Sequence, residues 1–203
     1  MVPDSPLGLV AGLMGILCLV YGMKGRTINF IFGFIEVLAQ SVISFQTHSW
    51  MSFAMSCCYL ISQPTGLILW RTMSDVKSLS KKAKIIIAIS AFIGWIVVSM
   101  VDAMLKGQVP YLDALNLVIP LVAESLFVLK YQETWPIWTV VNGMAFIYWT
   151  LLTVQFIMGM TQTGTLGMYL SQAALQGSLL FNAIYANKVW KSGEADNEGG
   201  IAE

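Results

Sequence analysis

Apolar residues in this chain come in long unbroken runs, not at the every-third-or-fourth spacing of a surface helix. Seven runs approach the roughly 20 mainly apolar residues needed to cross ~30 Å of hydrocarbon. They extend from about Pro6 to Met23, Thr27 to Phe45, Ser49 to Trp70, Ile85 to Leu105, Tyr111 to Leu129, Trp135 to Met158 and Leu166 to Trp190. Between the third and fourth lies the lysine-rich loop SDVKSLSKKAK, Ser74 to Lys84. The pattern predicts an all-α integral membrane protein of seven transmembrane helices in one transmembrane domain, residues 1–191. The tail 192–203 is acidic, contains glycine and lacks aromatics, which predicts disorder.

The runs group as three, one and three. A first triplet (about 6–71) and a second (about 111–190) flank a linker helix (about 85–105). An odd linker restores the orientation of the chain, so the triplets are expected to be parallel repeats, with a substrate site between them near the midplane. One local echo supports this. The third span ends Gly66-x-x-x-Trp70-Arg71 and the seventh Ala186-x-x-x-Trp190-Lys191. The same residues are equally what an aromatic belt at a membrane interface supplies.

Composition agrees with the pattern. Of 203 residues, 57% are hydrophobic and only 11% charged, against roughly a quarter charged in soluble domains. Too few charges exist to cover a water-facing surface. The zero net charge excludes nucleic acid as an expected partner; the expected surroundings are a lipid bilayer. Of the 11 Lys and Arg residues, all but Lys106 fall on the side holding the loops after spans one, three and five and the C-terminal flank. By the positive-inside rule that side is cytoplasmic and the N-terminus is outside. No charged segment precedes the first span, so it reads as a retained span and not a cleaved signal. Such a compact multi-pass chain suits a bacterial inner membrane.

Polar groups in a span face the bundle interior or a water-filled cavity, because hydrocarbon cannot satisfy them. Glu36 and Gln40 share one face of span two; Ser56, Tyr59 and Gln63 share one of span three. Asn116 and Glu124 lie in span five, Asn142 and Gln155 in span six, and Gln172, Gln176 and Asn182 in span seven. The amides suit an uncharged hydrogen-bonding solute, and equally serve to hold helices together. Glu36 leaves three roles open: a proton carrier, an acceptor for substrate, or a neutral acid bonded to a neighbouring helix. Glu124 carries the same ambiguity. Trp135, Trp138 and Asn142 follow the i, i+3, i+7 rule and share a stripe, so two indoles and an amide are placed to cradle a flat ring. A cationic ring gains ~0.5–2 kcal/mol per indole. Interface anchoring of the two indoles is the competing reading. Pro64 and Pro120 interrupt spans three and five, as hinges or as static kinks.

Chemistry for an enzyme is not evident. Cys18, Cys57 and Cys58 sit in apolar runs, and adjacent helical cysteines point about 100° apart, a poor geometry for a disulfide. The single histidine, His48, stands in a turn, and no nucleophile–base pair, metal cluster or phosphate-cradling loop is visible. Neither an enzyme nor a cofactor is expected.

The segment from Asn29 to Arg71 carries a more specific signal. Asn29, Phe30, Gly33, Phe45, Gln46, Trp50, Gln63, Gly66 and Trp70 form a pattern that resembles the PnuC family of bacterial vitamin transporters. The W-x-x-W of Trp135 and Trp138 is similar to a hallmark of the same family, and the likeness runs from about residue 8 to 191. Three features depart from the pattern: Thr47-His48-Ser49-Trp50 lacks the usual Leu-Tyr-Gly-type step, Glu36 stands where a small or hydroxyl residue is commoner, and Ala186 where glycine is frequent. The resemblance implies a 3+1+3 fold, a homotrimer, and facilitated diffusion of nicotinamide riboside or a related vitamin precursor, trapped by cytoplasmic phosphorylation. Thiamine and deoxynucleosides are the alternative substrates within the family. Trp135, Trp138 and Gln63 carry over as site residues by motif, with Asn142 beside them; Glu36, Gln40, Tyr59 and Gln176 join on the reading of the residues alone. The rival readings are a proton-coupled carrier using Glu36 and a membrane scaffold that transports nothing.

Overall fold

The computed structural model describes residues 6–46, 50–73, 75–104, 110–159 and 166–194. His48, Lys106 and the tail beyond 194 lie outside them, as do the side chains of Trp50 and Asn116. The described residues form seven helices: α1 (Pro6–Met23), α2 (Asn29–Gln46), α3 (Trp50–Thr72), α4 (Lys81–Met104), α5 (Pro110–Val128), α6 (Thr134–Ile157) and α7 (Leu166–Ser192). Five of them, α1, α2, α3, α4 and α6, hold a window long and apolar enough to cross a membrane. α5 contributes a shorter apolar stretch, Leu117–Val128. α7 carries Gln172, Gln176, Asn182 and Asn187 along its length, which dilutes its apolar character.

α1 packs on α2 and α2 on α3; α5 packs on α6 and α6 on α7; α3 meets α5, and α7 meets α1. α4 packs on α5. Its outer surface is a sheath of exposed Ile85, Ile89, Phe92, Ile93, Ile96 and Met100, and its buried residues are Ser99 and Asp102. Apolar outside and polar inside is the inverse of a soluble helix, and it is the arrangement that hydrocarbon solvent demands.

The joints between α1 and α2 and between α5 and α6 are built alike. The Gly25 N–H donates to the Gly22 carbonyl at 3.1 Å and the Arg26 N–H to the Tyr21 carbonyl at 2.9 Å. In the other joint Lys130 donates to Phe127 at 2.9 Å and Tyr131 to Leu126 at 2.8 Å. Both are Schellman turns, which need a left-handed residue just past the helix. Gly25 (φ 69°) supplies it in one and Lys130 (φ 61°) in the other. The next helices then open the same way: Asn29 and Phe30 donate to Arg26 and Thr27, and Thr134 and Trp135 to Tyr131 and Gln132.

Lysine is an uncommon choice at positive φ. Its ammonium lies 5.6 Å from the ring centre of Trp70 and donates to the Met73 carbonyl at 3.3 Å. These contacts offset the backbone cost and tie the α5–α6 joint to the end of α3. A second tie lies alongside. Lys77 and Tyr131 form a parallel bridge, and the Glu133 carboxylate accepts from the Ser78 hydroxyl and the Leu79 N–H while pairing with the Lys84 ammonium at 2.9 Å. Partial burial pushes the Glu133 carboxyl upward, but the Lys84, Leu79 and Ser78 donors outweigh it and hold the group below its ordinary value.

Candidate functional site

Two residues of the Asn29–Arg71 segment are glycines for a steric reason. A Cβ on Gly66 would land inside the Phe30 ring, and a Cβ on Gly33 would strike the Gln63 amide. The glycines let α2 and α3 approach closely, with Phe30 seated on α3 and Gln63 lying against α2. Phe30 then stands edge-on to Trp70 at 4.8 Å between ring centres.

Trp70 and Trp190 meet at 5.7 Å. Trp70 Nε1 donates to the Val128 carbonyl at the end of α5 (3.0 Å), and Trp190 Nε1 to the Met23 carbonyl at the end of α1 (3.2 Å). Each indole therefore satisfies a terminal carbonyl that its own helix cannot reach. The two are 5% and 2% exposed, so the aromatic-belt reading of these tryptophans does not hold. With Phe30, Phe127 and Trp135 they form one buried cluster.

Directly upon this cluster lies a cavity of about 300 Å³, at the lower end of the range for small-molecule sites. It is lined from α1, α2, α3, α5, α6 and α7, with Phe127 and Trp135 shared between cavity and cluster. Glu36, Tyr59, Gln63, Trp135, Trp138 and Asn142 all line it. The stripe of Trp135, Trp138 and Asn142 thus faces one space, and so do Tyr59 and Gln63, one turn apart on α3.

Gln40 and Gln176 are half-buried but do not line it. The α7 residues that do are Leu175, Leu179 and Ala183, spaced at i, i+4, i+8; Gln176 is rotated about 100° from Leu175. Gln40 lies one turn beyond Glu36 and so past the lined segment of α2.

The α1 wall is formed by Gly12, Gly15 and Gly22 with Cys18 and Leu19. Sequence reasoning passed over these residues, although their recurrence at helical spacing marks a face of small side chains. Gly15 leaves room for Glu36: a Cβ there would stand 3.2 Å from the Glu36 carboxyl carbon.

The polar groups differ in how they are satisfied. Glu124 accepts from the Ser62 hydroxyl at 2.8 Å and the Gln63 amide at 3.0 Å. No described donor bonds Glu36. Tyr59 Oη, Gln63 Oε1 and Trp135 Nε1 are buried with no hydrogen-bond partner among the described residues. Buried polar atoms are nearly always paired; these three line the cavity, while Asn29, Asp102, Asn182 and Asn187 hold such atoms elsewhere in the bundle. Among the described residues the lining includes two carboxylates and no lysine, arginine or histidine.

A helical bundle with an apolar exterior and a central cavity of aromatic and hydrogen-bonding groups has the build of a membrane carrier for a small solute. Comparison with known proteins agrees. Residues 5–192 match the family described as nicotinamide mononucleotide transporter, and the chain belongs to this transporter family. Two curated relatives are nicotinamide riboside transporters PnuC. That of Neisseria mucosa is 28% identical over 93% of this chain and 73% of its own length. That of Haemophilus influenzae is 27% identical over 77% of this chain and 74% of its own. A crystal structure of the vitamin B3 transporter PnuC superposes with a TM-score of 0.74 at 25% identity, covering 98% of this chain and 85% of that one. The chain is thus a multi-pass membrane transporter, not an enzyme.

Proposed function

We propose that this protein carries nicotinamide riboside, or a closely related ribosylated vitamin precursor, into the cell by facilitated diffusion, with phosphorylation inside trapping the product. The observation that carries the reading is the cavity in which indoles, amides and carboxylates converge while Tyr59, Gln63 and Trp135 hold polar atoms without partners. The pyridinium ring stacks on Trp138 or Trp135, Asn142 reads its carboxamide edge, and the ribose hydroxyls take up the unpaired atoms of Tyr59 and Gln63. A mononucleotide fits the same lining badly. Its phosphate would face Glu36 and Glu124 with no basic side chain to meet it, and burying an unpaired charge is costly.

The two joints with matching hydrogen bonds, and the reciprocal indole bonds from α3 to α5 and from α7 to α1, favour a reading of α1–α3 and α5–α7 as parallel repeats. Transport is then a rocking of one half against the other about the cavity. The basic flank of the bundle is taken as cytoplasmic, in a bacterial inner membrane, with the C-terminus inside and the protein assembled as a homotrimer. In that orientation the aromatic cluster is the inner floor, and release requires the Trp70–Val128 and Trp190–Met23 bonds to part.

The test is counterflow of labelled nicotinamide riboside in proteoliposomes, for the wild type and Trp138→Ala. Saturable exchange in the wild type, lost in a variant that elutes as a folded protein, is the expected result. Absence of exchange in folded wild type removes this substrate and turns attention to thiamine and deoxynucleosides.

A further inference from the structure

We infer that Glu36 is a specificity-determining residue that selects substrates with a permanently cationic ring over neutral rings of the same shape. The inference rests on the substrate site proposed above and narrows its chemistry. Three observations carry it. Among the described residues the lining holds carboxylates from α2 and α5 and no basic side chain, so the charge-bearing groups described there are all acidic. The two carboxylates are not equivalent, because Glu124 is already engaged by Ser62 and Gln63, whereas Glu36 has no described donor. Space for the Glu36 side chain is kept by a glycine on the facing helix, Gly15, so the carboxyl borders the cavity instead of being packed away.

A cation entering this space meets a half-buried carboxylate that borders the cavity and has no described donor. The attraction between unit charges in such surroundings is several-fold larger than in bulk water, and the neighbouring indoles add to it through their ring faces. A neutral ring of equal size gains the stacking but not the charge pairing. It also covers the half-buried Glu36 without compensating its charge, which is a cost and not merely a missing gain. Discrimination therefore works in both directions, by attraction of the cation and by a penalty on its neutral analogue.

The experiment compares nicotinamide riboside with its reduced dihydro form, which bears the same substituents on an uncharged ring. Binding of each is measured calorimetrically on the purified full chain, for wild type, Glu36→Gln and Glu36→Ser. The wild type is expected to prefer the cation by about tenfold or more. In Glu36→Gln this ratio should collapse toward unity, mainly through weaker binding of the cation, with the reduced form bound as well as before or better. An unchanged ratio in the variants, or an equal loss of both ligands, overturns the inference while leaving the substrate site intact. Equal affinities in the wild type overturn it without recourse to any variant, so the test survives a substitution that fails to fold. Failure of the wild type to bind either ligand has a separate meaning: the site proposed above is then wrong, and the inference falls with it.

Discussion

Three tryptophans sit in one aromatic cluster, yet they belong to two different regions. Trp70 and Trp190 form the floor, and each indole N–H donates to a helix-terminal carbonyl across the contact of the two triplets. Trp135 touches Trp190 edge-on at 5.3 Å, but its N–H has no partner among the described residues. The floor has its polar groups paired, whereas the cavity above leaves several unpaired. Pairing that is complete stabilises the empty protein. Pairing that is withheld costs stability in the empty protein and is recovered when a ligand arrives. The difference distinguishes Trp135 from the other two where burial does not, since all three are buried.

The largest effects are expected at the floor. Trp190→Ala and Trp70→Ala are each expected to cost about 3–5 kcal/mol, read as a large drop in melting temperature of the detergent-solubilised protein. Near-neutral effects on stability would mean that the floor is not the structural centre.

Phenylalanine substitutions sharpen the contrast because they remove the N–H and keep most of the ring. Trp190→Phe abandons a paired donor and exposes the Met23 carbonyl, so a loss of about 1–3 kcal/mol in stability is expected. Trp135→Phe removes a donor that has no partner in the empty protein. Its stability should stay within about 1 kcal/mol of wild type, while affinity for nicotinamide riboside falls. The same loss of stability from both substitutions would erase the distinction.

The smallest effect is expected at the basic flank. Glu133 has its carboxyl held below the ordinary range by its donors. A depressed folded value contributes stability that is present above the unfolded carboxylate pKa and lost as pH falls through the folded one. Glu133→Gln should therefore cost less than about 1 kcal/mol at neutral pH, since Lys84 is half exposed. The gap to wild type should close on acidification below the usual carboxylate range. Melting curves from neutral to acidic pH check this, and a gap that widens in acid would contradict it.

Much of this arrangement was legible in the sequence. Hydrocarbon allows few ways to satisfy a backbone, so the apolar runs marked seven helices whose bounds differ from those observed mostly by one or two residues. α4 differs most, starting four residues earlier at Lys81, because charged residues at a membrane surface can continue a helix that hydropathy cannot see. Helical spacing brought Trp135, Trp138 and Asn142 to one cavity, and Tyr59 and Gln63 with them. It failed for Gln40 and Gln176 because spacing gives a face relative to its own helix, not the height and rotation of that helix against five others. The same limit hid the engagement of Glu124 by Ser62 and Gln63, which depends on how α3 meets α5. No local signal marks Lys130 as left-handed. Glycine announces such a turn, as Gly25 does, whereas the lysine is held in it by tertiary contacts that include Trp70 and Met73.

On the proposed reading, a cavity of indoles, amides and carboxylates accepts a cationic nucleoside and rejects its phosphorylated form. The decisive measurement is counterflow of labelled nicotinamide riboside into proteoliposomes, challenged with excess unlabelled nicotinamide riboside or nicotinamide mononucleotide. Exchange that the riboside competes for and the mononucleotide leaves untouched is the expected result. Equal competition by the mononucleotide would contradict it, because a phosphate would then have found a place that this lining does not provide.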